Sequence, residues 1–105
     1  MTAPTREEIR TAVDLPGAII LDVRTKDEVA AAPLTKKPYK HASCHLDDPS
    51  ELLEKAEELM PDKNAPIIIF CRSGRRAGKA KELLEERGYA KVLNAGGLTD
   101  LESIL

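Results

Sequence analysis

Cys71 is the residue best placed to do chemistry in this chain. It follows the apolar run Ile67-Ile68-Ile69-Phe70 and opens the stretch Cys71-Arg72-Ser73-Gly74-Arg75-Arg76-Ala77. The unbroken apolar run reads as a strand covered on both faces. A thiol at its carboxyl end lies where parallel α/β sheets keep their active sites. The short loop with one glycine leads into a helix, so its backbone N–H groups can converge into an anion nest. The start of the helix directs positive potential at the same point. Arg72, Arg75 and Arg76 add full charges. A free thiol, with a pKa of about 8.5, is only slightly ionised near neutrality. All three effects favour the thiolate, which is the nucleophilic form. A strand-ending cysteine can also be a small buried hydrophobe. Arginines at a helix start, however, are electrostatically wrong for the helix itself, and their clustering argues for an anionic substrate.

The elements that must position this loop follow from local patterns. Thr5-Arg6-Glu7-Glu8 has the order of a capping box and predicts a short helix with Ile9, Ala12 and Val13 on its apolar face, ended by Pro16-Gly17. Ala18 to Leu21, extended by Val23, predicts a buried strand. Thr25-Lys26-Asp27-Glu28 is a second capping box, with a helix to about Ala32 stopped by Pro33. Residues Pro33 to Tyr39 read as a surface loop, and His41 to Leu46 as a short strand. Asp48-Pro49-Ser50-Glu51 predicts a helix capped by Asp48, with Pro49 at N1 and Glu51 at N3. That helix carries Leu52, Leu53, Ala56, Leu59 and Met60 on one face. Beyond Cys71, Ala77, Ala80, Leu83 and Leu84 mark a helix to about Arg87, and Gly88 stands where a C′ residue belongs. Lys91-Val92-Leu93 reads as a further strand, Gly96-Gly97 as a tight turn, and Leu98 to Leu105 as a last helix. Strands separated by helices imply parallel pairing through right-handed crossovers. The expected fold is a single three-layer α/β domain over residues 1–105, with a central, mostly parallel sheet of four or five strands and helices on both faces.

Composition narrows the function. The chain has 105 residues, 32% of them charged, and a net charge of −2. This suits one soluble domain and argues against a nucleic-acid binder that relies on bulk electrostatics. Aromatics are 3% of the residues, too few for a stacking platform. No apolar run approaches the length of a membrane span. The opening residues lack the basic-then-apolar order of a secretory signal. A cytoplasmic location, with Cys44 and Cys71 kept as thiols, is therefore expected. Two cysteines without CxxC spacing do not suggest a metal site, and no cofactor motif is present.

The chain resembles the single-domain rhodaneses, sulfurtransferases that carry sulfur as a cysteine persulfide. The resemblance runs from about Ala18 to Leu101. It rests on Leu21-Asp22-Val23-Arg24 with Glu28 four residues on, His41, Phe70-Cys71-Arg72-Ser73-Gly74-Arg75-Arg76, Gly88-Tyr89 and Gly96-Gly97, in that order and spacing. It implies that Cys71 is the persulfide-forming nucleophile and that Arg72, Ser73, Gly74, Arg75 and Arg76 form the cradle for substrate. Related phosphatases and arsenate reductases have a cysteine, five residues and then an arginine; here that arginine position is Ala77, and Arg76 comes one residue early. The shorter loop suits a sulfane sulfur better than a tetrahedral phosphate. Family members that act on 3-mercaptopyruvate have neutral loops, whereas this one is cationic, which points to thiosulfate as donor. The implied partners are a small anionic sulfur donor and a thiol or cyanide acceptor, with a protein thiol among the candidates. Two alternatives are a persulfide carrier that docks on a protein partner and, less favoured, a small phosphatase or arsenate reductase on the same fold.

Other residues carry weaker signals. Asp22 and Arg24 alternate around Val23 and are expected on one side of the strand, as an ion pair that supports the loop or as substrate contacts. Glu28 is expected to cap its helix. His41 and His45 have the i, i+4 spacing of a helical metal pair, but their segment does not read as helical, and a packing or solvated role is favoured. His41-Ala42-Ser43-Cys44-His45 lacks the Pro-Gly turn common in the family at this point. Cys44 is read as a buried thiol, with a resolving partner for Cys71 as the sharper alternative. Gly96-Gly97 alone is too weak to be a phosphate-binding turn.

Overall fold

A computed structural model describes residues 3–105. The chain runs through α1 (Arg6–Val13), β1 (Ile19–Asp22), α2 (Lys26–Ala31), β2 (Lys40–His41), α3 (Ser50–Leu59), β3 (Ile67–Cys71), α4 (Arg75–Glu86), β4 (Val92–Gly97) and α5 (Leu98–Ile104). The four strands form one parallel sheet in the order β2-β1-β3-β4.

Side-chain alternation along the strands divides the interior into two layers. Leu21, Val23, Ile67, Ile69 and Cys71 face α3 and α4, where they meet Leu52, Ala56, Ala77, Ala80 and Leu84. Ile20, Ile68, Phe70 and Ala95 face α1 and α5, where they meet Ile9, Ala12, Leu101 and Ile104. Every residue of β3 is buried, as its unbroken apolar run predicts for a central parallel strand. Both capping boxes form as expected: Thr5 with Glu8, and Thr25 with Glu28. Gly88 takes the left-handed conformation just beyond α4, at φ 96°.

The structure corrects the expected strand over His41 to Leu46. Only Lys40–His41 forms a strand, paired with Leu21 and Asp22. Ala42 and Cys44 still donate to the carbonyls of Asp22 and Val23, but β1 has ended there. The Ser43 N–H instead meets the Glu51 carboxylate at 2.8 Å, and His45 N turns back to Asp48 O. The α3 start also shifts. Pro49 is the N-cap residue, and Asp48 Oδ1 accepts from the N–H and hydroxyl of Ser50, at 3.2 and 2.6 Å. Asp48 thus closes a turn before the helix, and Glu51 lies one position earlier in the helix than its spacing predicted.

Gly96-Gly97 is not a turn. Both residues extend β4, and α5 follows at Leu98 without a connector. Asn94 is opposite Ile69 while Gly97 is opposite Cys71, so β4 contains one extra residue across that interval. This is a β-bulge beside the cysteine, a common device for re-aiming a strand next to a site. Gly96 absorbs it at φ 84°.

Candidate active site

Cys71 ends β3, and residues 72–74 lead directly into α4. Gly74 is the N-cap residue at φ 96°, a left-handed conformation that costs other residues free energy. That turn brings the chain back over the thiol. Cys71 Sγ accepts from Gly74 N at 2.9 Å and from Ala77 N at 3.4 Å. Both bonds stabilise negative charge on the sulfur. The Ala77 N–H is one of the orphan donors at the start of the helix. Cys71 itself is enclosed, at 0% exposure. Its neighbours in the loop, Arg72, Ser73 and Arg75, are exposed.

The arginines do not share one role. Arg76 forms a bidentate pair with Glu28, at 2.7 and 2.9 Å. Arg72 and Arg75 remain on the surface. The expectation of three free guanidinium groups around the thiol is therefore corrected: one of them is neutralised by α2. Glu28 does cap its helix, but it also reaches the loop. Its Oε1 accepts from Thr25 N at 3.1 Å and from Arg76. The hydrogen bonds from Arg76 hold the Glu28 carboxyl well down, at about 2, against the opposing effect of burial and with help from Thr25. Fewer protons are then bound in the folded than in the unfolded state between pH 4.5 and about 2. Stability supplied by this pair is complete above the upper limit and is lost as pH falls through the lower one. We expect Glu28→Gln to flatten that part of the acid-unfolding curve by about 2 kcal/mol, a linkage value discounted for a pair that water still reaches. Thermal melts of both proteins across that pH range check this, and parallel acid limbs would contradict it.

Asp22 and Arg24 form a closed, buried ion pair, with Arg24 Nη2 and Nε at 2.8 and 3.1 Å from Asp22 Oδ2. Arg24 N also donates to Asp22 Oδ1. Arg24 goes on to Ala32 O at 2.8 Å and stacks over the Phe70 ring. Asp22 and Phe70 lie on the α1/α5 side of the sheet by alternation, whereas Cys71 faces α3 and α4. The pair therefore anchors the end of α2, the helix that carries Glu28 to the loop. His41 Nε2 lies 2.7 Å from Arg24 O, and Ser43 Oγ donates to the same carbonyl at 2.9 Å. His41 thus packs against the turn into α2, and His45 is exposed. Among the described residues, no group of three or more His, Cys, Asp or Glu is arranged to hold a metal ion.

Cys44 does not approach Cys71 closely enough for a disulfide. Cys44 N bonds to Val23 O, and Val23 N bonds to Phe70 O, so the β1 line of the sheet lies between the two cysteines. Two strand spacings of about 4.8 Å exceed the roughly 4.4–6.8 Å between Cα atoms that a disulfide spans. Burial pushes the Cys44 thiol up, toward its inert protonated form.

Three residues at this site make contacts that the sequence does not announce. For Glu28 and Gly97, landmarks of the family resemblance, the local pattern predicts a helix cap and a turn, but not the reach of Glu28 to Arg76 or the contact of Gly97 with the Arg72 carbonyl. Asn94 gave no signal at all, yet its side chain reaches the carbonyl of Gly74.

A strand-ending thiol under a short loop of amides, on an all-parallel sheet with helices on both faces, places the molecule among the small α/β domains built around one cysteine. The chain belongs to the rhodanese-like domain family, whose model matches residues 5–103. It is 47% identical over 51 residues to the Escherichia coli thiosulfate sulfurtransferase PspE, a match spanning 49% of each protein's length. It is 28% identical over 90 residues to the Saccharomyces cerevisiae thiosulfate:glutathione sulfurtransferase, covering 81% of this chain and 65% of that protein. The solved structure of an Escherichia coli rhodanese with anions superposes with a TM-score of 0.61 at 34% identity, covering 79% of this chain and 89% of that one. Among the described residues, no helix is long and apolar enough to cross a membrane.

Proposed function

We propose that this domain is a sulfurtransferase that takes the outer sulfur of thiosulfate onto Cys71 and passes it to a thiophilic acceptor. The observation that carries this reading is the pair of backbone donors on Cys71 Sγ, from Gly74 and Ala77, beneath a loop whose Arg72 and Arg75 are exposed. In the first step the Cys71 thiolate attacks the outer sulfur of thiosulfate. An S–S bond forms to Cys71, the S–S bond of thiosulfate breaks, and sulfite leaves with its electron pair. In the second step an acceptor thiolate or cyanide attacks the terminal sulfur of the persulfide, and Cys71 departs as the thiolate. The loop donors stabilise sulfur-borne charge in both steps. Arg72, Ser73, Gly74, Arg75 and Arg76 make up the cradle, with Arg76 held in place by Glu28 and with Asp22 and Arg24 in support.

Incubation with thiosulfate followed by intact-mass measurement tests the reading. The protein is expected to gain the mass of one sulfur on Cys71 and to lose it on addition of cyanide or glutathione. An unchanged mass would refute it. Slow turnover with free thiosulfate but rapid loading from a persulfide-bearing protein would make the domain a carrier instead. Turnover of a phosphate ester or arsenate would favour phosphatase-type chemistry.

Charge makes a second expectation. Thiosulfate is a dianion, and Arg75 and Arg72 are exposed, so their attraction is long-range and screened by salt. Arg75→Gln is expected to raise KM for thiosulfate about fivefold at low ionic strength, and less than twofold in high salt. Steady-state kinetics at the two salt concentrations check this. A KM change independent of salt would mean that Arg75 acts through geometry rather than charge.

A further inference from the structure

We infer that Asn94 is a positioning residue that sets the direction of the Gly74–Arg75 peptide, and so aims the Arg75 N–H into the anion cradle. The side chain of Asn94 makes two hydrogen bonds. Its Nδ2 donates to Gly74 O at 2.9 Å, and its Oδ1 accepts from Gly96 N at 2.9 Å. Only this orientation of the amide satisfies both partners, since Gly74 O can only accept and Gly96 N can only donate. Gly74 O also accepts the first intrahelical bond of α4, from Gly78 N at 2.9 Å. The carbonyl is therefore tied down twice, along the helix and sideways to β4.

In a planar trans peptide, the C=O and the following N–H point in opposite directions. Fixing Gly74 O toward Asn94 and Gly78 therefore fixes Arg75 N–H away from them, out of the first turn of α4 and on the side where Cys71 is capped by the loop. The first N–H groups of a helix have no partner within it. Here Ala77 N is occupied by Sγ, and the Arg75 N–H is aimed at whatever anion stands beyond the sulfur. Without the Asn94 bond, a single helical hydrogen bond would hold a peptide that follows a glycine in the left-handed conformation, the most pliable joint in the loop.

The β4 bulge makes this possible. The extra residue between Asn94 and Gly97 brings Gly96 Cα within 3.3 Å of where a Cβ on Gly74 would stand, and Gly97 against Arg72. A Cβ on Gly78 would stand 3.5 Å from Asn94 Nδ2, an ordinary contact distance, so the amide lies directly against α4. The Asn94 side chain bonds to Gly74 and Gly96 and makes no hydrogen bond to Cys71, so it acts through the loop.

The inference rests on the sulfur-transfer reading only in treating the loop as an anion cradle, and the test separates the two. Sulfate, a non-reacting dianion, serves as the probe. Alkylation of Cys71 by neutral iodoacetamide is followed by peptide mass mapping at increasing sulfate concentration. In the unmodified protein, sulfate is expected to slow the alkylation. In Asn94→Leu, which removes both bonds without adding charge, the half-protecting sulfate concentration should rise about tenfold, while alkylation without sulfate does not fall. Asn94→Ser also withdraws the amide from Gly74 O without adding charge; it should show the same rise and covers the case in which the Leu variant does not fold. A purely stabilising side chain would lower the melting temperature of the variants and leave half-protection of the folded protein unchanged. Half-protection within twofold of the unmodified protein overturns the inference, as does a failure of sulfate to protect the unmodified protein. Sulfur uptake from thiosulfate, read by mass on the unmodified protein, decides the sulfur-transfer reading independently.

Discussion

Cys71→Ser is expected to abolish sulfur uptake, with a loss of roughly a thousandfold or more in the rate of sulfite release, as is usual when a covalent nucleophile is removed. The substitution is close to a test of one atom. Serine fits the same fully enclosed position, and its hydroxyl oxygen can accept from Gly74 N and Ala77 N as the sulfur does. The loop should therefore stay closed, and stability should change by no more than about 1–2 kcal/mol. The chemistry does not survive. The hydrogen-bond partners of the group at this position are backbone N–H donors, not a base, and the Glu28 carboxylate that reaches the loop is engaged with Arg76. A hydroxyl without a base is a poor nucleophile toward sulfur at neutral pH. Sulfite release assayed with thiosulfate, alongside a melting curve, gives both numbers. Turnover retained by a folded Cys71→Ser protein would transfer the reaction to another group.

Gly97→Ala is expected to be the most damaging small substitution outside the thiol. A Cβ at Gly97 would overlap the carbonyl oxygen of Arg72 and stand 2.9 Å from its carbon. Both are main-chain atoms, and neither can swing aside as a side-chain end could. Gly97 is also register partner to Cys71, and its N–H is bonded to Asp100 Oδ2 at 2.9 Å. The clash must therefore be relieved by parting β4 from the residue that follows Cys71. Overpacking of this kind costs about 2–3 kcal/mol, which in a domain of this size lowers the melting temperature by about 10–20 °C. Sulfur uptake per folded molecule should fall at least tenfold, because Arg72 is the first residue of the loop. Gly17→Ala is the control. Gly17 has φ 77° but nothing within 4 Å of a Cβ, so it carries only the backbone penalty of about 1–2 kcal/mol and should leave sulfur uptake unchanged. A Gly97→Ala protein that melts within a few degrees of the parent would show that the strand and the loop are not in such close contact.

Much of this molecule is legible without coordinates because much of it is written locally. The starts of α1 and α2 are each encoded within four residues, Thr5 with Glu8 and Thr25 with Glu28. The buried central strand is encoded in one apolar run, and the left-handed ends of helices in single glycines. A thiol between such a strand and a helix has only one end of a parallel sheet to occupy, so the location of Cys71 and the donors around it follow from neighbouring residues. Where the expectation failed, the deciding partner lay elsewhere in the chain. The segment after His41 has residues that fit a strand, but β1 ends at Asp22 and Glu51 claims the Ser43 N–H. The shift at Asp48 is local instead: its carboxylate is taken by the N–H and hydroxyl of Ser50, two residues on, before the helix begins.

The order of the elements, the parallel α/β class and the thiol at the head of an amide loop are legible from residues alone, since these depend on periodicity, capping and chain direction over a few residues. The pairing of Glu28 with Arg76, the hold of Asn94 on Gly74 and the contact of Gly97 with Arg72 arise only in the assembled fold. Each of those contacts joins residues twenty or more positions apart, and a hydrogen bond or a steric limit across such a gap exists only once the sheet has set the distance between its strands.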